Sequence, residues 1–507
     1  MTLAQLFFEW PEIQKHFSSE MTVLGLATDT RKLSPGSVFV AIQGTRQDGH
    51  DHLDEAVRRG ALALVVQEQR KVPLDYKGFV LTVKNTRKIL DRLANIFYGA
   101  PSSRIFSIGV TGTNGKTSVT HMIEKIFSDQ GRKCAVMGTI DHHLGNIVFP
   151  TELTTPGPLE LQSRVREFVD AGAEVLSMEV SSHALDQNRV DSVQWNTAVF
   201  TNLTQDHLDY HGTMGKYFQA KEKLFRERLF ESPKAVVWAV INTDDPWGRR
   251  IRLPERVGLL TYGIQEGDLR ASIKNMDFSG TEVEIFANGK SFPIKLQVIG
   301  KHNVLNALAA LGASLTAMIP FERALRSLSE YLSVPGRLER VSGPEEKYFF
   351  VDYAHTPDAL ENVLQTLRSV SDAFKAEGSL ERKKNKIHLV FGCGGDRDTS
   401  KRPQMFKVAK KYADFVYITS DNPRTEDPMK IIGDILSASP MERDLNPGWL
   451  DACTWVDPDR RSALRKASER AQPGDVILIA GKGHEEYQIV GTERIPFSDR
   501  DEIKKLR

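Results

Sequence analysis

Short apolar runs alternate with helical patterns along most of the chain, and many of the runs end in polar loops. In the middle of the chain the runs are Cys134–Met137, Val175–Glu179, Thr197–Phe200 and Ala235–Ile241. In the last third they are Tyr348–Val351, Lys386–Phe391, Asp414–Thr419 and Asp475–Ala480. Runs of this length, separated by amphipathic helices, predict parallel sheets with helices on both faces.

The most specific local pattern is the stretch IFSIGVTGTNGKT, residues 105–117. An apolar strand pattern leads into glycines and Lys116-Thr117, and apolar residues then recur at helical spacing. A strand, a glycine loop, Lys-Thr and a helix in this order predict a phosphate-binding loop, with Lys116 on the β- and γ-phosphates and Thr117 on Mg²⁺. Val110 stands where the strict pattern has glycine, so the loop is a variant. We interpret it as an ATP or GTP site.

The fold class expected is α/β with three domains, since 507 residues exceed what one core holds. Residues 1–97 are expected to form a small N-terminal α/β domain, and residues 98–333 a central P-loop domain with a parallel sheet. Residues 334–507 are expected to form a Rossmann-like doubly wound domain. Within the central part, residues 265–295 alternate polar and apolar residues around Gly280 and Gly289, which predicts an antiparallel excursion.

Composition narrows the class of protein. A net charge of +1 argues against a nucleic-acid footprint or a polybasic membrane surface. Three widely spaced cysteines argue against a disulfide framework or a cysteine zinc site. The N-terminus lacks the basic region of a signal peptide, and no apolar run approaches the ~18 residues of a membrane span. We therefore expect a cytoplasmic protein without a membrane span.

Polar residues at the ends of two central strands are candidate metal ligands. Glu179 closes one apolar run, and His207 lies in the loop after another. Ligands of open α/β sheets gather at the carboxyl ends of strands, so both residues are expected to hold the metal on the phosphates. The alternative is a capping acid and a solvated His-Asp loop, and the phosphate loop upstream favours the metal interpretation.

The last third offers groups for an amino-acid-like ligand. Four of its runs open into loops rich in glycine, arginine or acid. Arg397 and Arg424 are suited to fork onto carboxylates, and Glu485 is suited to accept an ammonium. A second dinucleotide site at Gly392-Cys-Gly-Gly is the alternative, but the loop lacks the G-x-G-x-x-G pattern.

The motifs together resemble those of the Mur ligases. The strings are GVTGTNGKT, MEVSSHAL, TNLTQDHLDYHG, GKHNVLNALAA, GRLE, VDYAHTPDAL, FGCGGDRD, DNPRTEDP and AGKGHEEYQ, in this order between residues 26 and 500. The likeness is strongest to the branch that adds the third amino acid of the peptidoglycan stem peptide. It implies an ATP-dependent ligation through an acyl phosphate on UDP-MurNAc-L-Ala-D-Glu, by a monomer that needs Mg²⁺.

The resemblance also implies roles for individual residues. Lys116, Glu179, His207 and Lys221 would be catalytic, with Thr117, Glu179, His207 and a carbamylated Lys221 as metal ligands. The helical pattern alone predicts Lys221 to be an ordinary surface lysine. ATP would be bound by Gly112, Thr113, Asn114, Gly115, Lys116, Thr117, Ser118, Asn303, Arg337 and Asp352. The UDP-sugar would be bound by Thr30, Thr45, Arg46, Gln47, Asp48, Thr154, Thr155, Ser181, Gln187 and Arg189.

The choice of amino acid is expected to depend on the DNPR string. Arg424, with Arg397, resembles the meso-diaminopimelate type, whose substrate carries a second carboxylate that lysine lacks. The diaminopimelate set would be Arg397, Asp421, Asn422, Pro423, Arg424, Gly481 and Glu485. The alternatives are ligation of L-lysine, another Mur or folylpolyglutamate ligase, and a nucleotide-dependent switch or motor.

Overall fold

The computed structural model describes residues 1–10, 21–44, 47–67, 71–151, 153–344, 346–373, 385–437 and 446–506. The chain forms two compact units. The first contains Met1–Arg270 and Leu305–Leu325, and the second contains Ala271–Val304 and Arg326–Arg507. Each unit is built on parallel β-structure with helices, which confirms the expected α/β class.

The N-terminal part of the first unit has a four-stranded parallel sheet, in the order Gly25–Ala27, Ser37–Val40, Ala63–Val66 and Phe79–Thr82. Its helices include Leu3–Leu6, Leu53–Arg58 and Thr86–Phe97. Apolar residues from these helices and strands, such as Leu6, Val38, Val65 and Leu93, form one core.

The larger sheet of the first unit carries the phosphate loop. In spatial order its strands are Val257–Gly263, Val237–Asn242, Thr197–Phe200, Phe106–Thr111, Val175–Glu179, Cys134–Met137, His142–Leu144 and Ile147–Phe149. The first six run parallel and the last two form an antiparallel edge. The helices are Lys116–Asp129, Pro158–Asp170, Ser182–Asp186, Leu208–His211, Met214–Lys223 and Leu229–Glu231. The strands predicted at Cys134–Met137, Val175–Glu179 and Thr197–Phe200 have the predicted ends.

Three elements contain a unit boundary along the chain, namely strand Leu269–Asp277 and helices Lys301–Thr316 and Phe321–Ser329. In the second unit, strands Gly280–Ala287 and Lys290–Leu296 pair antiparallel, as the alternating pattern predicted. The turn between them contains Gly289.

The main sheet of the second unit has the order Glu339–Val341, Tyr348–Asp352, Val476–Ala480, Ile387–Phe391, Phe415–Ile418, Thr454–Val456 and Gly448–Asp451. Its inner strands run parallel and both edges are antiparallel. The helices are Pro357–Ala373, Lys401–Tyr412, Pro428–Leu436, Arg460–Arg470 and Asp499–Lys504, and a separate hairpin pairs Tyr487–Val490 with Glu493–Pro496.

Helices cover both faces of this second sheet. Leu389 of one strand packs in a core with Leu360 and Met405, whereas the adjacent Val390 packs with Leu464 and Ile503. Successive strand residues point to opposite faces, so two separate cores on one strand identify a doubly wound arrangement. Among the described residues, no helix is long and apolar enough to cross a membrane.

The buried ion pair Arg460–Asp499 connects helix Asp499–Lys504 to helix Arg460–Arg470 of the second unit. A substitution that removes the charge of Asp499 tests how much this pair stabilises the fold. Both side chains are fully buried, and Arg460 Nε and Nη2 each donate to an oxygen of Asp499 at 2.8 Å. We expect Asp499→Asn to lower the free energy of unfolding by about 3–5 kcal/mol, because it leaves a buried guanidinium without its counter-charge. Chemical denaturation measures this. Asp501→Asn, an exposed position on the same helix, is the control and should change stability little.

Candidate functional site

The predicted phosphate loop connects strand Phe106–Thr111 to helix Lys116–Asp129, with Gly115 at the helix N-cap. The loop is tied to the end of the neighbouring strand. Thr113 N donates to Asn202 O at 2.8 Å, Asn114 N donates to Asn202 Oδ1 at 3.0 Å, and Thr201 Oγ1 donates to Asn114 O at 2.6 Å. A pre-shaped loop at a helix N-terminus is suited to anions, because the N–H groups of the first helical turn and the helix dipole both favour negative charge.

Glycine is required at position 112. Its φ is +150°, and a Cβ there would lie 1.9 Å from Thr201 Oγ1 and 3.0 Å from Asn202 N. Any side chain would therefore push the loop away from the strand that shapes it. Val110, the departure from the strict pattern, lies in the strand itself and is buried, so the residue contributes to the core.

Two lysines meet at the carbonyl of Gly112. Lys116 Nζ donates to Gly112 O at 3.0 Å and to Thr113 O at 2.8 Å, while Lys221 Nζ donates to Gly112 O at 2.8 Å. Lys221 is 2% exposed and its Nζ lies 4.7 Å from the centre of the Tyr217 ring, so the surface position that the helical pattern predicted is wrong. Burial, and next the charge of Lys116, lower the pKa of Lys221 well below its usual value.

Glu179 lies at the end of its strand, in register with Val110 and 1% exposed. Thr139 binds both of its oxygens, with N donating to Oε1 at 2.9 Å and Oγ1 donating to Oε2 at 3.1 Å. Thr139 Oγ1 is also 3.1 Å from Thr154 Oγ1. One threonine thus links a candidate metal ligand to a candidate substrate-binding residue.

His207 has a φ of +52° and is half-exposed, and its ring centre is 4.8 Å from that of His183. Tyr217 connects this loop to the phosphate loop, since its ring is 6.1 Å from His207 and its hydroxyl is 3.2 Å from Thr113 Oγ1. The donor set suits Mg²⁺ in part: a carboxylate and a hydroxyl are the hard oxygen ligands that this ion prefers, and nucleotide phosphates supply more. Thr117, Glu179, His207 and a Lys221 carbamate are therefore the residues that would hold it.

Four of the predicted UDP-sugar residues form one hydrogen-bonded group. Thr155 Oγ1 donates to Glu179 O and accepts from Ser181 N, at 2.9 and 3.0 Å. Arg189 Nη1 donates to Thr155 O at 3.0 Å, and its Nε and Nη2 both donate to Gln187 Oε1. Burial, and next the charge of Arg87, lower the pKa of Arg189. Two guanidinium groups near each other at a polar surface favour an anionic ligand.

The N-terminal candidates are spread over separate contacts. Thr30 Oγ1 donates to Glu55 Oε2 at 2.9 Å, and Asp48 accepts from His50 N at 2.9 Å and from Lys71 Nζ at 3.3 Å. Gln47 is exposed. Thr45 and Arg46 lie outside the described residues.

Ser118 lies in the first turn of helix Lys116–Asp129 in the first unit, and the remaining ATP candidates lie in the second unit. Asp352 is buried and accepts from Leu338 N at 2.6 Å and from Ala354 N at 2.7 Å. Burial raises the pKa of this carboxyl, and the nearby Arg337 opposes the shift. Asn303 Nδ2 donates to Ile299 O at 2.9 Å.

The amino-acid candidates of the second unit converge at the ends of adjacent strands. Asn422 Nδ2 donates to Glu485 Oε2 at 2.9 Å, and the fully buried Lys482 donates to Asn422 Oδ1 at 3.1 Å and to Glu485 Oε2 at 3.0 Å. A Cβ on Gly481 would lie 2.8 Å from Asp421 Oδ2. Burial raises the pKa of Asp421, opposed first by Lys482. The result is a connected group of acidic and amide side chains around the buried Lys482.

Both predicted arginines flank Gly394. A Cβ on this glycine would lie 3.0 Å from Arg424 Nη1 and 3.8 Å from Arg397 Cγ. Arg424 Nη1 also donates to Gly395 O at 2.7 Å, and the residue has a φ of +50°. Pro423 directly precedes Arg424 in the chain. A Cβ on Gly395 would lie 1.9 Å from Pro423 O and would clash with it.

Several residues of these networks lie outside the sequence prediction. Arg402 is fully buried and binds Glu426 through two nitrogens at 2.9 Å and Gly394 O at 3.1 Å, which holds the two loops together. Lys482 and Thr139 are also part of these networks without having been predicted. Lys482 lies in the AGKGHEEYQ string, which was a usable signal, whereas Thr139 and Arg402 had none.

Models of three protein families match the chain in succession. They are described as the Mur ligase family catalytic domain, residues 22–98, the Mur ligase middle domain, residues 110–314, and the Mur ligase glutamate ligase domain, residues 336–483. The phosphate loop falls in the middle model and the arginine-bearing loops in the last.

Curated relatives match over nearly the full length. The chain is 40% identical over 501 residues to UDP-N-acetylmuramoyl-L-alanyl-D-glutamate–2,6-diaminopimelate ligase of Lactiplantibacillus plantarum, covering 98% of this chain and 96% of the relative. The ligase of the same name from Geobacillus thermodenitrificans is 41% identical over 505 residues, covering 99% and 98%. A solved structure of an enzyme with this name is 31% identical with a TM-score of 0.71, covering 99% and 98%. The chain belongs to the Mur ligase family.

Proposed function

We propose that the protein is the ATP-dependent ligase that joins meso-diaminopimelate to the D-glutamate of UDP-MurNAc-L-Ala-D-Glu in peptidoglycan synthesis. The observation that carries the proposal is the near full-length match to ligases named for this reaction, at about 40% identity. The two site regions supply what such a reaction needs, a phosphate loop in one unit and an arginine-bearing pocket in the other.

The phosphate loop activates the carboxylate. The side-chain carboxylate of D-glutamate attacks the γ-phosphorus of ATP, the bond to the bridging oxygen breaks, and ADP leaves. Lys116, which folds back onto Gly112 O and Thr113 O, would turn to the γ-phosphate and neutralise the charge that develops there. Mg²⁺, held through Thr117, Glu179 and His207, would supply further neutralisation of the phosphate oxygens.

The amine then completes the bond. The amino nitrogen of diaminopimelate attacks the acyl carbon, the carbon–oxygen bond to phosphate breaks, and the amine gives up a proton. In the second unit Arg424 and Arg397 would bind a carboxylate of this substrate. Asp421, Asn422, Gly481 and Glu485 would hold its second amino-acid group. Asn303, Arg337 and Asp352 would contact the nucleotide.

The UDP-sugar is assigned to the group around Thr155, Ser181, Gln187 and Arg189, with Arg87 as an added cation. A pyrophosphate is the anion that this pair of guanidinium groups would favour. Because the substrates are a nucleotide-linked precursor and ATP, we place the reaction in the cytoplasm.

Lys221 is expected to carry a carbamate. Its buried position lowers the pKa, which favours the neutral amine that attacks CO₂ with loss of a proton. Lys221→Ala and Lys221→Arg should each lower kcat by about 10²-fold, because neither side chain can become an anionic metal ligand. Carbon-13 NMR with labelled bicarbonate should show a carbamate resonance in the wild type and not in either variant. Lys223→Ala is the control, because Lys223 lies two residues on, is partly exposed and pairs with Asp186 at 3.1 Å.

Transfer of a heavy oxygen isotope tests the acyl phosphate. With the D-glutamate side-chain carboxylate labelled, one labelled oxygen should appear in the inorganic phosphate, since that oxygen bridges to phosphorus before phosphate leaves. Label that stays wholly in the UDP-peptide would contradict this step. A switch or motor would release unlabelled phosphate without either substrate.

A further inference from the structure

Three side chains with nitrogen and oxygen donor atoms meet between the helix that follows the phosphate loop and an edge strand of the sheet. None of them is among the residues assigned to the nucleotide or the substrates. His121 and Glu124 belong to helix Lys116–Asp129, and His143 belongs to strand His142–Leu144. One donor atom from each lies within 4.8 Å of the others. All three side chains are mostly buried, with exposures of 13%, 23% and 13%.

The donor atoms of the helix and of the strand point towards one another. His121 and Glu124 are three residues apart on a helix and so share one face. Glu124 Oε1 lies 2.8 Å from His143 Nε2, and Glu124 Oε2 lies 3.5 Å from His121 Nδ1. The neighbouring His142 is fully buried on the other side of the strand, so the strand's alternation presents His143 alone to the helix.

A second carboxylate orients His143. Asp141 Oδ1 lies 2.6 Å from His143 Nδ1, which leaves Nε2 as the nitrogen that faces Glu124. A carboxylate on the far nitrogen of an imidazole is the usual outer partner of a metal-bound histidine, because it fixes the tautomer and strengthens the ligand. A structural hydrogen-bond network explains the His143–Glu124 contact, but it does not require the nearby His121.

We propose that His121, Glu124 and His143 form a site for a divalent first-row transition metal, with Zn²⁺ the best match and a water in the fourth position. Two imidazoles and one carboxylate are the ligand types of zinc sites with one open position. They differ from the oxygen ligands that Mg²⁺ prefers. The ion takes the place of the proton shared by Nε2 and Glu124, and that proton leaves to solvent.

The distances need only a small adjustment. Tetrahedral Zn²⁺ with bonds of about 2.0–2.1 Å places its donors roughly 3.4 Å apart. In this structure Glu124 Oε1 lies 2.8 Å from His143 Nε2, and the other oxygen, Oε2, lies 3.5 Å from His121 Nδ1. One donor atom of each side chain lies within 4.8 Å of the other two, so a bound ion would have to draw the three donors closer together. The proposal requires the His121 side chain to rotate so that its nitrogen moves inward. The bound ion would clamp the helix of the phosphate loop to the antiparallel edge of the sheet.

Cobalt titration of the full-length protein tests the site. With excess Mg²⁺ present, one equivalent of Co²⁺ should give the visible absorption of a tetrahedral ion, and Zn²⁺ should displace it. His121→Gln and His143→Gln should abolish the band. Asp141→Asn should weaken the affinity by about 10–100-fold while keeping the band at saturation. His52→Gln, which removes an exposed histidine of the N-terminal part, should behave as the wild type.

Three results would overturn the proposal. One is a wild type without a visible band at any Co²⁺ concentration. Another is a band that survives in both His121→Gln and His143→Gln. The third is a band lost in His207→Gln alone, which would assign the ion to the histidines near the phosphate loop. Circular dichroism without metal checks that each variant is folded. If His143→Gln is not, the remaining two substitutions decide.

Discussion

Methionine in place of Lys116 is expected to lower kcat for ligation by about 10³-fold or more, with the UDP-peptide and diaminopimelate still bound. Lys116 is the side-chain cation that the proposed mechanism places on the γ-phosphate, and methionine keeps an unbranched apolar stem while removing the charge. Since negative charge develops on the leaving bridging oxygen and is spread over the phosphoryl oxygens in the transition state, the loss should fall on kcat.

The measurement is phosphate release under saturating substrates, together with the binding of each substrate by calorimetry. Lys125→Met is the matched control. Lys125 lies on the same helix, and its partner is Asp129 in the last turn, at 2.7 Å, so its removal should leave kcat unchanged. Equal losses in the two variants would mean that the helix, and not the ammonium at the phosphate loop, was damaged.

Alanine in place of Arg424 is expected to lower kcat/KM for diaminopimelate by about 10³-fold, because losing one partner of a desolvated charge pair costs about 2–5 kcal/mol. The KM for ATP should change little. Arg424→Lys keeps the positive charge but not the planar fork, so it should restore only part of the activity. The kcat/KM for L-lysine, which has no second carboxylate, should be unaffected or improved. The preference of the enzyme for diaminopimelate over lysine should therefore fall.

Steady-state kinetics with each amino acid, at fixed ATP and UDP-peptide, separates these effects. Arg465→Ala is the control, because Arg465 is an exposed arginine of the second unit on helix Arg460–Arg470. A rise in the ATP KM as large as that for diaminopimelate would remove Arg424 from the amino-acid pocket. A wild type that used lysine and diaminopimelate equally would overturn the assignment of the pocket itself.

The fold was largely predictable because its signals are local. Strands such as Val175–Glu179 are short apolar runs bounded by polar residues, and burial on both faces of a parallel sheet makes such runs necessary. The phosphate loop was equally accessible, since glycines, lysine and threonine occupy adjacent positions. The two-unit division was not expected. Its boundaries fall within continuous strands and helices, where no loop between elements marks them.

The site was predictable only where residues that act together are also close together in the sequence. Lys221 donates to Gly112 O across 109 residues, and nothing in its helical neighbourhood distinguishes it from a surface lysine. Thr139 reaches Glu179 across 40 residues with a side chain that elsewhere would be an ordinary loop hydroxyl. Burial of a polar side chain is a tertiary property, so only the resemblance to a family brought Lys221 to attention. The resemblance did not point to Thr139.

Ligation of diaminopimelate to the UDP-peptide with consumption of ATP can be measured directly. The measurement is phosphate release together with product mass, for the protein given ATP, UDP-MurNAc-L-Ala-D-Glu and either diaminopimelate or lysine, with each component omitted in turn. We expect phosphate in an amount equal to that of a UDP-peptide heavier by one diaminopimelate residue, and only when all three substrates are present. Phosphate released at the full rate without the UDP-peptide, or without any new amide product, would contradict it.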